Sequence, residues 1–142
     1  MNSNRSMPLA QVIPELAYPD VIAATNWLTG AFGFSVRLRI GDHRAQLGFG
    51  TGAIVLRAGA APGPEASASH SVMVRVQDVD AHYARALAAG AKVSGSPTTH
   101  PYGERQYAAQ DLAGHWWVFS QSVEDVHPSQ WGGELLNGDN AA

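Results

Sequence analysis

The sequence predicts an α+β fold of two tandem βαβββ units whose mixed sheets form a cup. An internal repeat is the first reason, since Pro19-Asp20-Val21 aligns with Gln77-Asp78-Val79, Gly33 with Gly90, Arg44 with Arg105 and Gly52 with Gly114. In each copy an Asp opens a run with helical spacing, and short alternating runs separated by Gly-containing breaks accompany it. The third reason is residues 102–121, YGERQYAAQDLAGHWWVFSQ, where alternating runs over 105–109 and 115–121 flank a polar break at 110–114, as in a hairpin. Two such units present two sheets able to close around a shared concavity.

In chain order, residues 1–10 are expected to be a mobile tail. The first unit, 11–57, starts with a strand over 12–18, after which Asp20 caps a helix. Val21, Ala24, Leu28, Ala31 and Phe32 form its apolar stripe and Gly33 ends it. Strands over 34–40, 44–49 and 53–57 follow, separated by the Gly41-Asp42 and Gly50-Thr51-Gly52 turns. Residues 58–69, rich in Ala, Pro and Gly, read as a linker. The second unit, 70–121, has a strand over 70–76 and a helix capped by Asp78 with Val79, Tyr83, Ala86 and Leu87 on its stripe. That helix ends at Gly90, and a short strand over 92–94 leads through Pro97 and Pro101 to the hairpin. Residues 122–142 form a C-terminal tail. On the last strand Trp117 and Phe119 share one face, while Trp116, Val118 and Ser120 share the other. A strand bulky on both sides implies a helix layer behind it and, in front, the apolar yet partly polar wall of a binding cup.

Composition narrows the function. With 142 residues, 45% hydrophobic and 15% charged, the chain suits one compact unit. A net charge of -3 without a cluster of Lys and Arg gives no footprint for nucleic acid. The absence of Cys removes disulfides, thiolate metal sites and Cys nucleophiles. Residues 1–10 lack an apolar signal core, so a cytoplasmic location is expected, and no apolar run approaches the roughly 20 residues that span a bilayer.

Three segments, VIPELAYPDVIAATNWLTGAFGF, VMVRVQDVDAHYARALAAGAKV and YGERQYAAQDLAGHWWVFSQ, in this order and on this repeat, resemble the vicinal oxygen chelate superfamily. That superfamily holds glyoxalase I, the bleomycin-resistance proteins, extradiol dioxygenases and methylmalonyl-CoA epimerase, and the resemblance covers residues 12–121. It implies the paired-unit fold but leaves the activity to the site, because one scaffold hosts many chemistries. Metal-dependent members take His and Glu ligands from the first and last strands of each unit. Carried over by motif, those positions are Ile13, Leu56, Ser71 and Val118, none a plausible ligand. A slip of one or two residues admits His70 or Glu15, but the last strands still offer only Ile54, Val55, Leu56 and 116–119. No metal and no cofactor are expected.

Gly48, Gly50 and Gly52 in GFGTGA hint at a dinucleotide loop, but a strand follows where a helix is needed, so the segment reads as a hairpin turn. The histidines show no ligand spacing: His82 lies on a helix, His43, His100 and His115 near turns and His127 in the tail, mostly as surface residues. His70 is either a strand entry residue or a pocket-mouth residue. Glu15 and Arg75 fall on the cup side, where Glu15 is a candidate general base and Arg75 a carboxylate clamp, or they lie at a solvated end or pair with each other. Arg105 and Tyr107 either reach the cavity or lie on an exposed face. Trp116 offers a flat apolar face and one donor, suited to stacking or to core filling, and Trp131 lies over the cup, over a partner subunit or free. The expected ligand-binding set is Glu15, Met73, Arg75, Tyr107, Trp116, Val118, Ser120 and Trp131.

These readings give two functional expectations. One is a metal-free protein of the bleomycin-resistance type that binds a planar aromatic, antibiotic-like molecule and acts by sequestration. The other is a glyoxalase-like lyase or isomerase, or a dioxygenase-related enzyme, acting on a small oxygenated substrate. Because each unit alone leaves a sheet face uncovered, a homodimer is expected, with units paired within or between chains, and the linker permits their exchange.

Overall fold

The structure, a computed structural model, describes residues 3–64 and 69–136. The linker expected over 58–69 lies partly outside these residues. In chain order the elements are β1 (Glu15–Tyr18), α1 (Val21–Phe32), β2 (Ser35–Ile40), β3 (Arg44–Phe49), β4 (Gly52–Ala58), β5 (Val72–Arg75), α2 (Val79–Ala88), β6 (Lys92–Val93), β7 (Thr98–Thr99), β8 (Glu104–Gln110) and β9 (Trp116–Ser122). Sheet A has the order β1-β4-β3-β2 and sheet B the order β5-β9-β8-β6, with β7 added on β8. In each sheet the first strand of the unit pairs parallel with the last, and the hairpins pair antiparallel. This is the two-unit α+β architecture the repeat requires.

Local chemistry sets the boundaries. Asp20 and Asp78, both extended, accept from the backbone N–H three residues on and so satisfy orphan donors at each helix start. Gly33 ends α1 at φ 85, a left-handed conformation that a side chain disfavours. The GFGTGA segment is the β3–β4 turn, with Phe49 opposite Gly52. The first strand begins at Glu15 rather than at 12, and β7 was not anticipated, because two paired residues carry no periodicity. The stripe of α1 is buried in full, whereas on α2 only Val79 and Ala86 are buried and Leu87 is exposed.

Both helix-facing sheet surfaces share one apolar interior. From sheet A come Leu16, Tyr18, Leu47, Ile54 and Leu56, and from sheet B Tyr107, Ala109, Trp117 and Phe119. Phe32, at the end of α1, meets Trp117 and Phe119 edge-on at 5.6 and 4.7 Å between ring centroids. The helices clamp each other by their ends. Arg85 of α2 donates to the Gly30 and Thr29 carbonyls at 2.7 and 3.1 Å, and His82 to the Phe32 carbonyl at 2.9 Å. In return Trp27 of α1 donates to the Ala89 carbonyl at 3.0 Å. The cationic Arg85 thus meets the negative end of α1.

A buried carboxylate completes the junction. Asp111, in the β8–β9 turn and 5% exposed, accepts from the Tyr18 hydroxyl (2.5 Å) and Trp117 Nε1 (3.0 Å) on one oxygen. Its other oxygen accepts from the Ala113 and His115 N–H groups, both at 3.0 Å. Burial first, and the neighbouring Asp111 charge second, push the Tyr18 hydroxyl pKa far up, so it stays a donor. His115, expected at the surface, is buried and donates Nε2–H to the Ala17 carbonyl at 2.7 Å.

This packing decides where the remaining sheet faces point. With the helix-facing surfaces turned to one interior, the opposite surfaces of sheets A and B turn away from it. Within one chain they do not oppose each other.

Two outcomes follow. Asp111→Ala strands up to four donors at a buried site and is expected to cost about 3 kcal/mol or more in urea unfolding. His82 is held neutral, because desolvation chiefly, with the nearby Arg85 charge, lowers its pKa from the usual 6.5. The unfolded chain therefore binds the proton more readily, and the contribution of His82, intact above pH 6.5, is lost as pH falls through its lowered value. Urea midpoints at pH 7 and pH 5.5 should differ more in the wild type than in His82→Gln.

Candidate functional site

Sheet B's outward face carries most of the residues singled out in the sequence. Strand registers place Met73 beside Val118 and Arg75 beside Ser120, with Ala108 and Gln106 beyond them on β8. Trp116 lies on the same face opposite Gln110. Met73 is 64% exposed, a large apolar side chain left open. A concavity of about 350 Å³ sits here, floored by Val118, Ala108 and Gln106 and rimmed by Thr98, His100 and Ser94.

Polar groups on this face are linked. The Tyr102 hydroxyl donates to Gln106 Oε1 at 3.2 Å, Gln106 Nε2 to Ser120 Oγ at 3.0 Å, and Ser120 Oγ to Glu104 Oε1 at 2.6 Å. His100 stacks on Tyr102 with centroids 5.1 Å apart and planes 6° from parallel, and Trp131 meets Tyr102 edge-on at 5.7 Å. Trp131 therefore stands at the Tyr102 end of this face. Trp116 lies at the other, four residues or about 13 Å along β9 from Ser120. Glu104, Gln106, His100 and Tyr102 were not among the expected site residues. Alternation from Ser120 across the hairpin was the available signal for Gln106 and Glu104.

Two expected residues lie elsewhere. Tyr107 is on the helix-facing side of β8, 4% exposed, with its hydroxyl 2.6 Å from His82 Nδ1 and its ring near Phe119. Because His82 Nε2 donates to Phe32, Nδ1 is the acceptor and the tyrosine the donor. Alternation put Tyr107 with Arg105 and so opposite Gln106, but the sequence did not say which side faced out. Arg105 lies over α2, bound to Asp80 at 3.0 Å. His82 is likewise a half-buried bridge between units, not a surface residue.

Glu15 belongs to the outward face of sheet A. It pairs with Arg44 at 3.0 Å rather than with Arg75, and its side chain stays 53% exposed. Beside it in register are Val55 and Gln46. A register shift after Val36 lets Arg37 reach Gln46 Oε1 at 2.5 Å. Together they hold the N-terminal segment, since Gln46 Nε2 donates to the Ser6 carbonyl and Arg37 to that of Arg5, at 2.7 and 3.0 Å. Arg5 and Ser6, expected within a tail, thus lie against sheet A.

A second cleft, about 1140 Å³, opens between the units beside the free edge of β5, lined by Val72, Val74, Phe34, Phe49 and Ile54. Of its titratable members, His82 is engaged on both ring nitrogens, Arg85 on two carbonyls and Asp78 at the start of α2, while Arg75 is shared with the outward face of sheet B. Chemistry suited to a ligand is therefore concentrated on sheet B.

The residues do not fit a divalent metal. Leu56 is wholly buried on the helix side, and the β4 residue facing outward beside Glu15 is Val55. The one-residue difference arises because β4 is apolar on both faces. Ile13, Val55 and Val118 carry no donor, and no group of three His, Cys, Asp or Glu among the described residues could hold an ion.

A family model described as the Glyoxalase/Bleomycin resistance protein/Dioxygenase superfamily matches residues 9–119. TioX from Micromonospora sp. ML1 is 37% identical over 80% of this chain and 99% of its own, with a TM-score of 0.67. A glyoxalase/bleomycin resistance protein/dioxygenase from Nocardioides is 20% identical, covers 87% of each chain and has a TM-score of 0.63. A family enzyme from Burkholderia phytofirmans PsJN is 18% identical over 78% of this chain and 97% of its own, with a TM-score of 0.66. The comparison with curated proteins gives no match.

The family match ends before Ser120, so Trp131 and the segment leading to it lie outside it. Gly103, at φ 84, anchors that segment through its carbonyl, which accepts from the Val123 and Glu124 N–H groups. A Cβ on Gly103 would lie 1.9 Å from the Glu124 carbonyl oxygen. Gly103→Ala is therefore expected to lift residues 123–131 from the sheet, read as faster proteolysis there and a lower melting temperature; unchanged proteolysis would contradict this placement.

Proposed function

The chain belongs to the glyoxalase/bleomycin resistance protein/dioxygenase superfamily, and we propose that within it this protein is a cytoplasmic, metal-free binding protein that sequesters a flat, largely apolar small molecule. One observation carries the reading. The outward face of sheet B joins an apolar floor of Met73, Val118 and Trp116 to a hydrogen-bonded polar line, while offering no donor set for a metal. Mostly apolar walls with a few placed polar groups are what ligand pockets are made of.

The cup is completed by a second copy. One chain's outward faces do not oppose each other, and an exposed Met73 with a free β5 edge favours burial against a partner. Sheet A of one subunit, with the exposed Glu15 and the N-terminal segment held over Gln46, then stands against sheet B of the other in a closed homodimer. No helix among the described residues is long and apolar enough to cross a membrane.

The enzymatic alternative would use Glu15 as a base. Its ion pair with Arg44 and its exposure give it none of the enclosed apolar setting that such a role requires, so binding without turnover is the better reading.

Calorimetry with planar antibiotics and aromatic acids tests the reading. Trp116→Ala should weaken binding by about tenfold, since an aromatic pair adds roughly 0.5–1.5 kcal/mol beyond the burial lost with it. Unchanged affinity in the folded variant, or turnover of a bound compound, would contradict it. Chelation should leave the melting temperature unchanged; a fall of several degrees reversed by Zn, Ni, Mn or Fe would reveal a bound metal.

A further inference from the structure

The hydrogen-bond line on sheet B has a direction, and the direction selects a ligand chemistry. Ser120 receives an N–H from Gln106, so its single proton goes to Glu104 Oε1. Gln106 in turn presents Oε1 to the Tyr102 hydroxyl, which fixes the orientation of the amide. Every donor in the line points toward Glu104, which terminates it as an acceptor. Glu104 Oε2 remains outside the line.

No cation neutralises this carboxylate among the described residues, where the ion pairs are Glu15 with Arg44, Asp80 with Arg105 and Asp42 with His43. Arg105, its sequence neighbour, points to the other side of the sheet, to Asp80. Arg75 shares the face and stands beside Ser120 on the edge strand β5, but among the described residues no ion pair joins it to Glu104. Beside the Glu104 end stand Tyr102, stacked on His100, and Trp131, and Tyr and Trp rings attract a cation. The Trp131 Nε1–H is taken by the Val126 carbonyl at 3.1 Å, so this ring offers its surface and no donor.

We propose that the Glu104 end of sheet B is a subsite for a protonated amine carried on a flat aromatic ligand. The amine donates to the carboxylate beside the aromatic rim, and the ring lies over Val118 and Ala108 toward Trp116. The proposal rests on the binding reading above and adds the charge of the ligand. It also assigns a role to a rim containing Trp131, which lies beyond the residues matched by the family.

Four indoles that differ in charge separate the possibilities: tryptamine, tryptophan, 3-indolepropionate and 3-methylindole. Titrated by calorimetry or by NMR shifts, the full chain should bind tryptamine about tenfold more tightly than 3-indolepropionate, the scale of a hydrogen bond to a charged group. Glu104→Gln, which keeps an acceptor for Ser120, should abolish that preference and leave 3-methylindole unchanged. As a check independent of any variant, raising salt from 50 to 500 mM should weaken tryptamine more than 3-methylindole. The same preference in folded Glu104→Gln, tighter binding of 3-indolepropionate, or equal binding of all four would overturn the amine subsite while leaving the binding reading intact. If none of the four bound to the folded protein, both would fail.

Discussion

Asp111 and the helix clamp set the relation of the two units, and most other features follow from that relation. The carboxylate is buried where β1 of one unit meets the β8–β9 turn of the other, and the hydroxyl, indole and backbone donors around it all require it. A buried charge of this kind is tolerable only when its acceptor sites are filled. Arg85, His82 and Trp27 close the helix ends against each other from both sides. With the helices fixed between them, the two sheets turn their remaining faces outward, and in the proposed pairing a single chain offers two half-sites rather than one cup.

The half-sites differ in kind. On sheet A Glu15 is committed to Arg44 and the pair Arg37 and Gln46 to the N-terminal segment. On sheet B the polar groups form a line with an open acceptor at its end, beside apolar side chains left exposed.

Much of the fold was legible because its signals are local. Asp20 and Asp78 are N-caps whatever surrounds them, and the stripe from Val21 to Phe32 has a helical period, so both helices could be placed. Alternation on β9 separated Trp117 and Phe119 from Trp116, Val118 and Ser120, the two sides the structure shows. What failed was information carried by distant partners. Asp111 reads as an ordinary turn residue until Tyr18 is known to reach it across 93 positions, and His82 as a surface helix residue until Phe32 and Tyr107 are seen beside it. Tyr107 and Leu56 were placed wrongly for a related reason: in β8 the following residues are two alanines and β4 is apolar on both faces, so neither strand announces its outward side.

The central claim is that the outward face of sheet B is covered by a second copy of the chain. Sedimentation velocity at micromolar concentration, on the wild type and on Met73→Arg, tests it directly, because Met73 is open in one chain and would be covered in the proposed pair. The account predicts twice the chain mass of 15.0 kDa for the wild type and the single mass for the variant, with the circular dichroism of both unchanged. A monomeric wild type, or a Met73→Arg dimer as tight as the wild type, would contradict it.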